Sequence, residues 1–360
     1  MRHVSTLIVG GGPAGSAAAI GLAGAGHAVL LIERDARPRD ALCGGFLSWA
    51  TLRRLERLGV DPRALGAHRV ERLALFARSW RAEAVLPAPA AALSRRALDS
   101  ALLALATTAG AAIERGIAVR AREEGRIRLE DGTLLQADTL ILATGKHELR
   151  GGARPRAQGD AAVGLRWRLG ASRALTRLLG NGIELHLFRG GYAGLVLQED
   201  GGANLCLAVR QSRFAETGAR PDALLASLTR DAPALAARLD AAGTIAPPQA
   251  IANIPYGWLA RNGEPDLYRI GDQAAVIPSL AGEGIAIAIS SGLAAAQAIA
   301  RGETSLSFQP ALAHRLRRPI HIAGALWRLA EQPAGARALI AVTRAVPLLA
   351  NLAARLTRVD

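Results

Sequence analysis

The sequence predicts an α/β protein with a Rossmann-like nucleotide-binding half built on a βαβ unit of the glutathione-reductase type. An antiparallel sheet is inserted into that half, and helices form the C-terminal end. Three observations predict this. Thr6 to Asp35 reads as apolar strand, glycine turn, Ala-rich helix, apolar strand and acid. The middle of the chain breaks into short strand-like runs, Val163 to Leu169, Ile183 to Phe188, Tyr192 to Leu197 and Asn204 to Val209, with turns at Gly190-Gly191 and Asp200-Gly201-Gly202. A short strand ending in Gly271-Asp272 then feeds a small-residue helix, Ile285 to Ala300.

Each residue type in the first unit has a physical role. Gly10 permits a sharp turn, Gly12 lets the backbone approach a pyrophosphate, and Gly15 lets the helix pack on the strand. Pro13 and Ala14 start that helix, whose unpaired N–H groups and positive dipole end face phosphate. Glu33 closes the second strand, placed to accept from a ribose 2′-hydroxyl; it would repel a 2′-phosphate, so NADP is not expected here. Arg34 follows it. The strand before, the helix after and the acid about 20 residues on give the glycine pattern its weight.

Composition narrows the function classes. A chain of 360 residues, 50% hydrophobic and 21% charged, is globular with ample core. Its net charge of +14 comes almost wholly from scattered arginines, Lys146 being the only lysine, so nucleic-acid binding is not expected. Cys43 and Cys206 form no disulfide framework, and no His pair has metal-ligand spacing; no metal is expected. The first strand begins at once, and no apolar run reaches the ~18 residues of a spanning helix. A cytoplasmic protein is the expectation, with peripheral membrane contact through the basic, apolar segment from Ala334 to Arg358.

Between these landmarks, Trp49 to Leu58 is helical with Gly59 closing it, and Val70 to Leu86 alternates as strands around Trp80-Arg81. Ser94 caps a helix to Ala109. A strand at Ile117 to Ala121 and a hairpin turn at Asp131-Gly132 lead to Thr139 to Leu142, a return to the nucleotide-binding sheet. One helix is predicted over Asp222 to Ala241, and two more over Gln309 to Glu331 and Ala334 to Thr357, the last interrupted by Pro347. These readings place a discontinuous cofactor domain at 1–69, 91–160 and 256–305, a sheet domain at 70–90 and 161–255, and a helical segment at 306–360.

Three motifs in order resemble the FAD-dependent group that contains p-hydroxybenzoate-hydroxylase-like monooxygenases and geranylgeranyl reductases. They are the glycine unit with Glu33, the strand ending Ala143-Thr144-Gly145, and Gly271-Asp272 with Pro278 and Gly282-Glu283-Gly284-Ile285 after it. Asp272 is of the right chemistry to accept from ribityl hydroxyls. The N–H groups opening the Gly284 helix suit the flavin pyrimidine edge, where negative charge develops on reduction. The resemblance implies FAD as resident cofactor, Arg95 near its phosphates, Val119 near the adenine, and Cys43-Gly44 beside the flavin ring, with Cys43 a candidate catalytic residue. Thr144 stands where hydroxylases carry Asp, which leaves the reductant open between transient NAD(P)H and an external flavin reductase.

Trp167, His186, Phe188 and Tyr192 are candidates to line a substrate pocket in the sheet. Low aromatic content, 4%, predicts an aliphatic pocket and a hydrophobic small-molecule substrate. The leading expectation is a monooxygenase of secondary metabolism, hydroxylating with O2 by way of a flavin peroxide. The alternative is a geranylgeranyl-reductase-like flavoenzyme that saturates prenyl or other C=C bonds, to which Cys43-Gly44-Gly45 points. An alternative of another class is a non-catalytic, membrane-associated flavin-binding protein.

Overall fold

A computed structural model describes residues 2–123, 125–154 and 159–359. Its strands and helices, in chain order, begin with β1 (Arg2–Val9), α1 (Pro13–Gly24), β2 (Val29–Glu33), β3 (Phe46–Leu47), α2 (Trp49–Arg57), β4 (His68–Ala77), β5 (Trp80–Ala92), α3 (Arg95–Thr108), β6 (Ala112–Arg115), β7 (Val119–Glu123), β8 (Arg126–Leu129) and β9 (Leu134–Leu142). The middle holds β10 (Ala162–Leu169), α4 (Arg173–Leu179), β11 (Gly182–Phe188), β12 (Gly191–Leu197), β13 (Ala203–Arg210), α5 (Gln211–Ala215), α6 (Pro221–Asp231), α7 (Pro233–Asp240) and β14 (Gln249–Ile254). The chain ends in β15 (Leu267–Arg269), α8 (Gly284–Ala300), α9 (Ser305–Ala330), α10 (Pro333–Ala345) and α11 (Pro347–Leu356).

Two sheets organise the chain. The first runs β6-β2-β1-β9-β8-β7, with β15 also paired to β9. β6, β2, β1, β9 and β15 are mutually parallel where they pair, whereas β7, β8 and β9 form an antiparallel meander whose Asp131-Gly132 turn joins β8 to β9. Parallel strands must be covered on both faces; their Val, Ile and Leu side chains accordingly divide between two cores, one shared with α1, α8 and α9 and one under the meander.

The Ala and Gly content of α1 and α8 has a packing reason. A Cβ on Gly292 would lie 2.3 Å from the Ala14 carbonyl oxygen, and one on Gly21 2.7 Å from the Ala296 side chain. Small residues let the two helices approach to near backbone contact, which fixes the start of α8 beside the start of α1.

The second sheet runs β14-β10-β13-β12-β11-β4-β5-β3 and is antiparallel except where β11 meets β4. One face packs on α4, α6 and α7. The other faces the cofactor half, and α10 and the end of α9 join it through Trp327, Ala336 and Ile340.

The structure departs from the predicted helices in two places. The run Asp222 to Ala241 is two helices, because Pro233 cannot donate into a continuing α6 and Ala232 leaves helical geometry (φ −127°, ψ 83°). α9 begins at Ser305, four residues before Gln309, and carries Pro310 and Pro319 within it. The interruption expected at Pro347 is present: the segment after Ala334 is α10 and α11, bent by 114° at Val346. β4 and β5 also extend beyond 70–86, to His68 and Ala92. Within 91–160, positions 155–158 lie outside the described residues.

Candidate active site

A cavity of about 940 Å³ lies between the two sheets. Its lining includes Gly10, Gly12, Pro13, Ala14, Glu33, Arg34, Cys43, Gly44, Arg95, Val119, Thr144, Gly145, Gly271, Asp272, Gly282, Gly284 and Ile285. Residues far apart in sequence are thus on one surface.

The glycine turn is a cradle with no room for side chains. Gly10 has φ +109°, and a Cβ there would sit 2.5 Å from the Ala143 carbonyl oxygen; on Gly15 it would sit 1.9 Å from the Gly10 oxygen. Gly15 therefore acts behind the turn, in the packing of α1, and does not itself line the cavity. A Cβ on Gly12 would lie 3.3 Å from Arg95 Nη2, so the arginine stands directly over the start of α1.

Arg95 is held by Asp99 one helical turn on, its Nε and Nη2 donating to the two carboxylate oxygens at 2.8 Å each. Burial alone would lower the Arg95 pKa, but Asp99 outweighs it and raises it, so the guanidinium is a fixed charge. Glu33 closes the other end. Its Oε2 accepts from Gly11 N at 2.6 Å and its Oε1 from Asp35 N at 2.8 Å, which locks the carboxylate in place with lone pairs still open to a ribose.

Asp272 is paired with Lys146, Nζ to Oδ2 at 2.9 Å. Burial disfavours the ammonium, yet the Asp272 charge wins and raises the Lys146 pKa. Sequence reasoning missed this lysine, although its isolation in an Arg-rich chain, directly after Gly145, was a signal. Thr144 donates its hydroxyl to the His147 carbonyl at 2.7 Å and shapes the loop. Pro278 does not line the cavity; it precedes the short 3-10 turn at Ser279–Ala281 that leads to Gly282, whose φ is +69°.

Cys43 lies where the two halves meet. Asn204 Nδ2 donates to its carbonyl at 2.7 Å and Cys206 Sγ at 3.1 Å, while its Sγ accepts from Gly45 N at 3.4 Å. Burial pushes the Cys206 thiol up to about 12, so it remains a neutral thiol. Both cysteines line the cavity.

Across from these groups the sheet presents Leu73, Leu75, Ile183, Leu185, Leu187 and Val196. Tyr192 is among them, buried, and donates to Ser279 Oγ at 2.8 Å; Tyr256 hydrogen-bonds to the same oxygen. Burial raises the Tyr192 pKa well above its ordinary value and raises that of Tyr256, so both hydroxyls keep their protons. Tyr256 and Ser279 had no signal in sequence, since they lie in loops that only the fold brings to β12.

The other three substrate candidates point elsewhere. Trp167 is 1% exposed in the core under α6 and α7, and Phe188 packs against that same core. His186 is buried, hydrogen-bonded to Glu184 at 3.0 Å and stacked on Phe76 with ring centroids 4.7 Å apart. None of the three lines the cavity. The reason is strand alternation: Ile183, Leu185 and Leu187 of β11 face the cavity, so Glu184, His186 and Phe188 face away.

The donor set fits a flavin dinucleotide. Gly10, Gly12, Pro13, Ala14 and Arg95 suit the pyrophosphate, Glu33 and Val119 the adenosine, Asp272 the ribityl chain, and the start of α8 with Cys43 and Gly44 the ring. The space at the ring end is open: a Cβ on Gly44, Gly145 or Gly284 would meet nothing within 4 Å. Among the described residues no group of His, Cys, Asp and Glu is arranged to hold a metal ion.

Comparison with known proteins points to the same cofactor class. Residues 3–148 match the family described as FAD binding domain. Menaquinone reductase of Mycobacterium tuberculosis is 28% identical, the match covering 97% of this chain and 89% of that protein. Menaquinone reductase of Mycolicibacterium smegmatis is also 28% identical over 83% of this chain and 77% of that one. Among solved structures, the flavin-dependent brominase Bmp2 superposes with a TM-score of 0.81 at 19% identity, covering 99% of this chain and 93% of that chain. Pseudomonas aeruginosa PqsL in complex with 2-aminobenzoylacetate superposes with a TM-score of 0.73 at 18% identity, covering 94% of this chain and 100% of that one.

Proposed function

We propose that this chain, an FAD-dependent oxidoreductase of the p-hydroxybenzoate-hydroxylase-like group, reduces a C=C bond in a lipophilic, isoprenoid-like substrate. The carrying observation is the Tyr192–Ser279–Tyr256 hydrogen-bond chain opening into an otherwise aliphatic cavity wall. Saturating an isolated double bond needs a hydride equivalent on one carbon and a proton on the other. FAD held by these residues, once reduced by an electron donor, would supply the hydride. The protein's part is the proton and the orientation.

Tyr192 suits the proton's delivery. Its hydroxyl is held protonated by burial and donates to Ser279 Oγ at rest; turned toward the substrate, it would release that proton and accept a replacement from the Ser279 hydroxyl, itself hydrogen-bonded to the less buried Tyr256. The leucine wall binds and aligns an apolar chain and excludes water. Asn204 and Cys206 fix the Cys43 loop against the ring end of the cavity. The curated relatives, named for menaquinone reduction, support a polyprenyl substrate class. This choice sets the alternative of the sequence above its leading expectation, because the substrate wall carries neither carboxylate nor imidazole to take a proton from a phenol.

Hydroxylation with O2 is the second reading, favoured by the same dry, aliphatic lining. Anaerobic incubation with NADH, NADPH or dithionite-reduced protein and a polyprenyl substrate, followed by mass spectrometry, separates the two. A product heavier by two hydrogens without O2 is expected; an oxygenated product that forms only in air would overturn the reductase reading. Flavin bleaching in the same experiment identifies the donor, and no bleaching by either nucleotide would point to an external reductase.

A further inference from the structure

We propose that the outer face of α10 and α11 is a docking surface for an anionic lipid bilayer. These helices have two sides with different fates. The inner side carries Leu339, Thr343, Ala350, Ala353 and Ala354 to the cavity wall. The outer side exposes Val342, Val346, Leu348, Leu349, Leu352 and Leu356, with Leu348 at 74%. Leu348, Leu352 and Leu356 recur every four residues and so form one stripe along α11.

Six large aliphatic side chains on two successive helices exceed the scatter of single apolar residues normal on a protein surface. The two helices are bent by 114° to one another, so they form no straight span, and no single helix among the described residues is long and apolar enough to cross a membrane. The geometry is that of helices lying in the interface plane.

Charge chooses the occupant. From Pro333 to Val359 there is no acidic residue, while Arg337, Arg344 and Arg355 are exposed beside the aliphatic stripe. Arg344 also lies 5.9 Å from the ring of Trp80, itself 44% exposed, an aromatic at the edge of the same surface. Apolar stripe, flanking arginines and rim tryptophan together match anionic headgroups over acyl chains.

The surface is anchored to the cofactor end of the cavity. Arg358, stacked 4.6 Å from Trp49, pairs with fully buried Glu283 between Gly282 and Gly284, and Val359 N donates to the same carboxylate at 3.3 Å. Docking would set the bilayer one helix diameter, ~10 Å, from the cavity. The surface is independent of which reaction the cavity performs.

The test uses flavin-loaded full-length protein and vesicles of phosphatidylcholine with or without phosphatidylglycerol, read by co-sedimentation and by gel filtration without vesicles. The expected result is pelleting with phosphatidylglycerol vesicles that weakens with salt. Leu348→Glu/Leu352→Glu should lower partitioning roughly tenfold or more with flavin content unchanged. Should that double variant lose flavin, Leu348→Ser, at the most exposed position, serves in its place with a smaller loss expected. Wild-type protein that stays in solution, or variants that pellet equally, would overturn the proposal. So would a dimer that the variants dissociate without any vesicle binding by the wild type, which would make the face a self-association surface.

Discussion

The two walls of the cavity differ in how they hold their shape. The cofactor wall is polar and backbone-defined: a glycine turn, two helix starts, and the pairs Arg95–Asp99 and Lys146–Asp272. The substrate wall is aliphatic and side-chain-defined, with two tyrosines on one serine as its polar feature. Where backbone packs on backbone, as at Gly10 and Gly15, the wall tolerates no added atoms. A wall built from side chains tolerates exchanges of similar volume and loses function only at its few polar atoms.

The sharpest break of this contrast is Gly10→Val. With φ at +109° and the Ala143 oxygen 2.5 Å from the new Cβ, strain of about 3 kcal/mol is expected, roughly a hundredfold in FAD affinity. Protein purified with normal flavin absorbance would refute the cradle. Tyr192→Phe should leave flavin content unchanged while lowering kcat roughly 10- to 100-fold, the range of a lost proton donor. Unchanged turnover would remove Tyr192 from the reaction. Asp272→Asn leaves Lys146 without its carboxylate in a half-buried place and should weaken FAD binding about tenfold, near 1.4 kcal/mol. Fluorescence titration of the flavin-free protein reads this directly.

The smallest effect lies behind the substrate wall. Burial would raise the Glu184 pKa, but hydrogen bonds from His186 and Arg238 outweigh it and hold the carboxyl below its ordinary 4.5. A depressed carboxyl contributes stability that is present above pH 4.5 and lost as pH falls through the folded value. Glu184→Gln should therefore lower Tm modestly at pH 7 and flatten the acid side of the Tm profile. An unchanged acid limb would show that another group controls it.

Legibility divided along the same line. The first unit was readable because Gly10, Gly12, Gly15 and Glu33 sit within one short stretch, where residue type and spacing fix geometry. Tyr192 and His186 show the opposite case. Both lie on apolar, alternating strands, and a one-residue shift exchanges the faces; with both faces of the sheet covered, hydrophobicity does not tell them apart. Leu187 pairs with Tyr192 in the ladder, and those two reach the cavity while His186 and Phe188 do not. Tyr256 and Ser279 were unreadable for a different reason, since each depends on a loop brought across the fold, whereas Lys146, the lone lysine directly after Gly145, did carry a signal.

By itself the sequence determined the strand, glycine turn, helix and strand that end at Glu33, since local backbone sterics act over a few residues. Only the tertiary structure decided which side of the second sheet faces the cavity, which tyrosines meet at Ser279, and that the last helices line the cavity with one side and expose leucines on the other. Those outcomes depend on contacts between segments separated in the chain, such as Tyr192 with Ser279 87 residues on, for which local spacing carries no information.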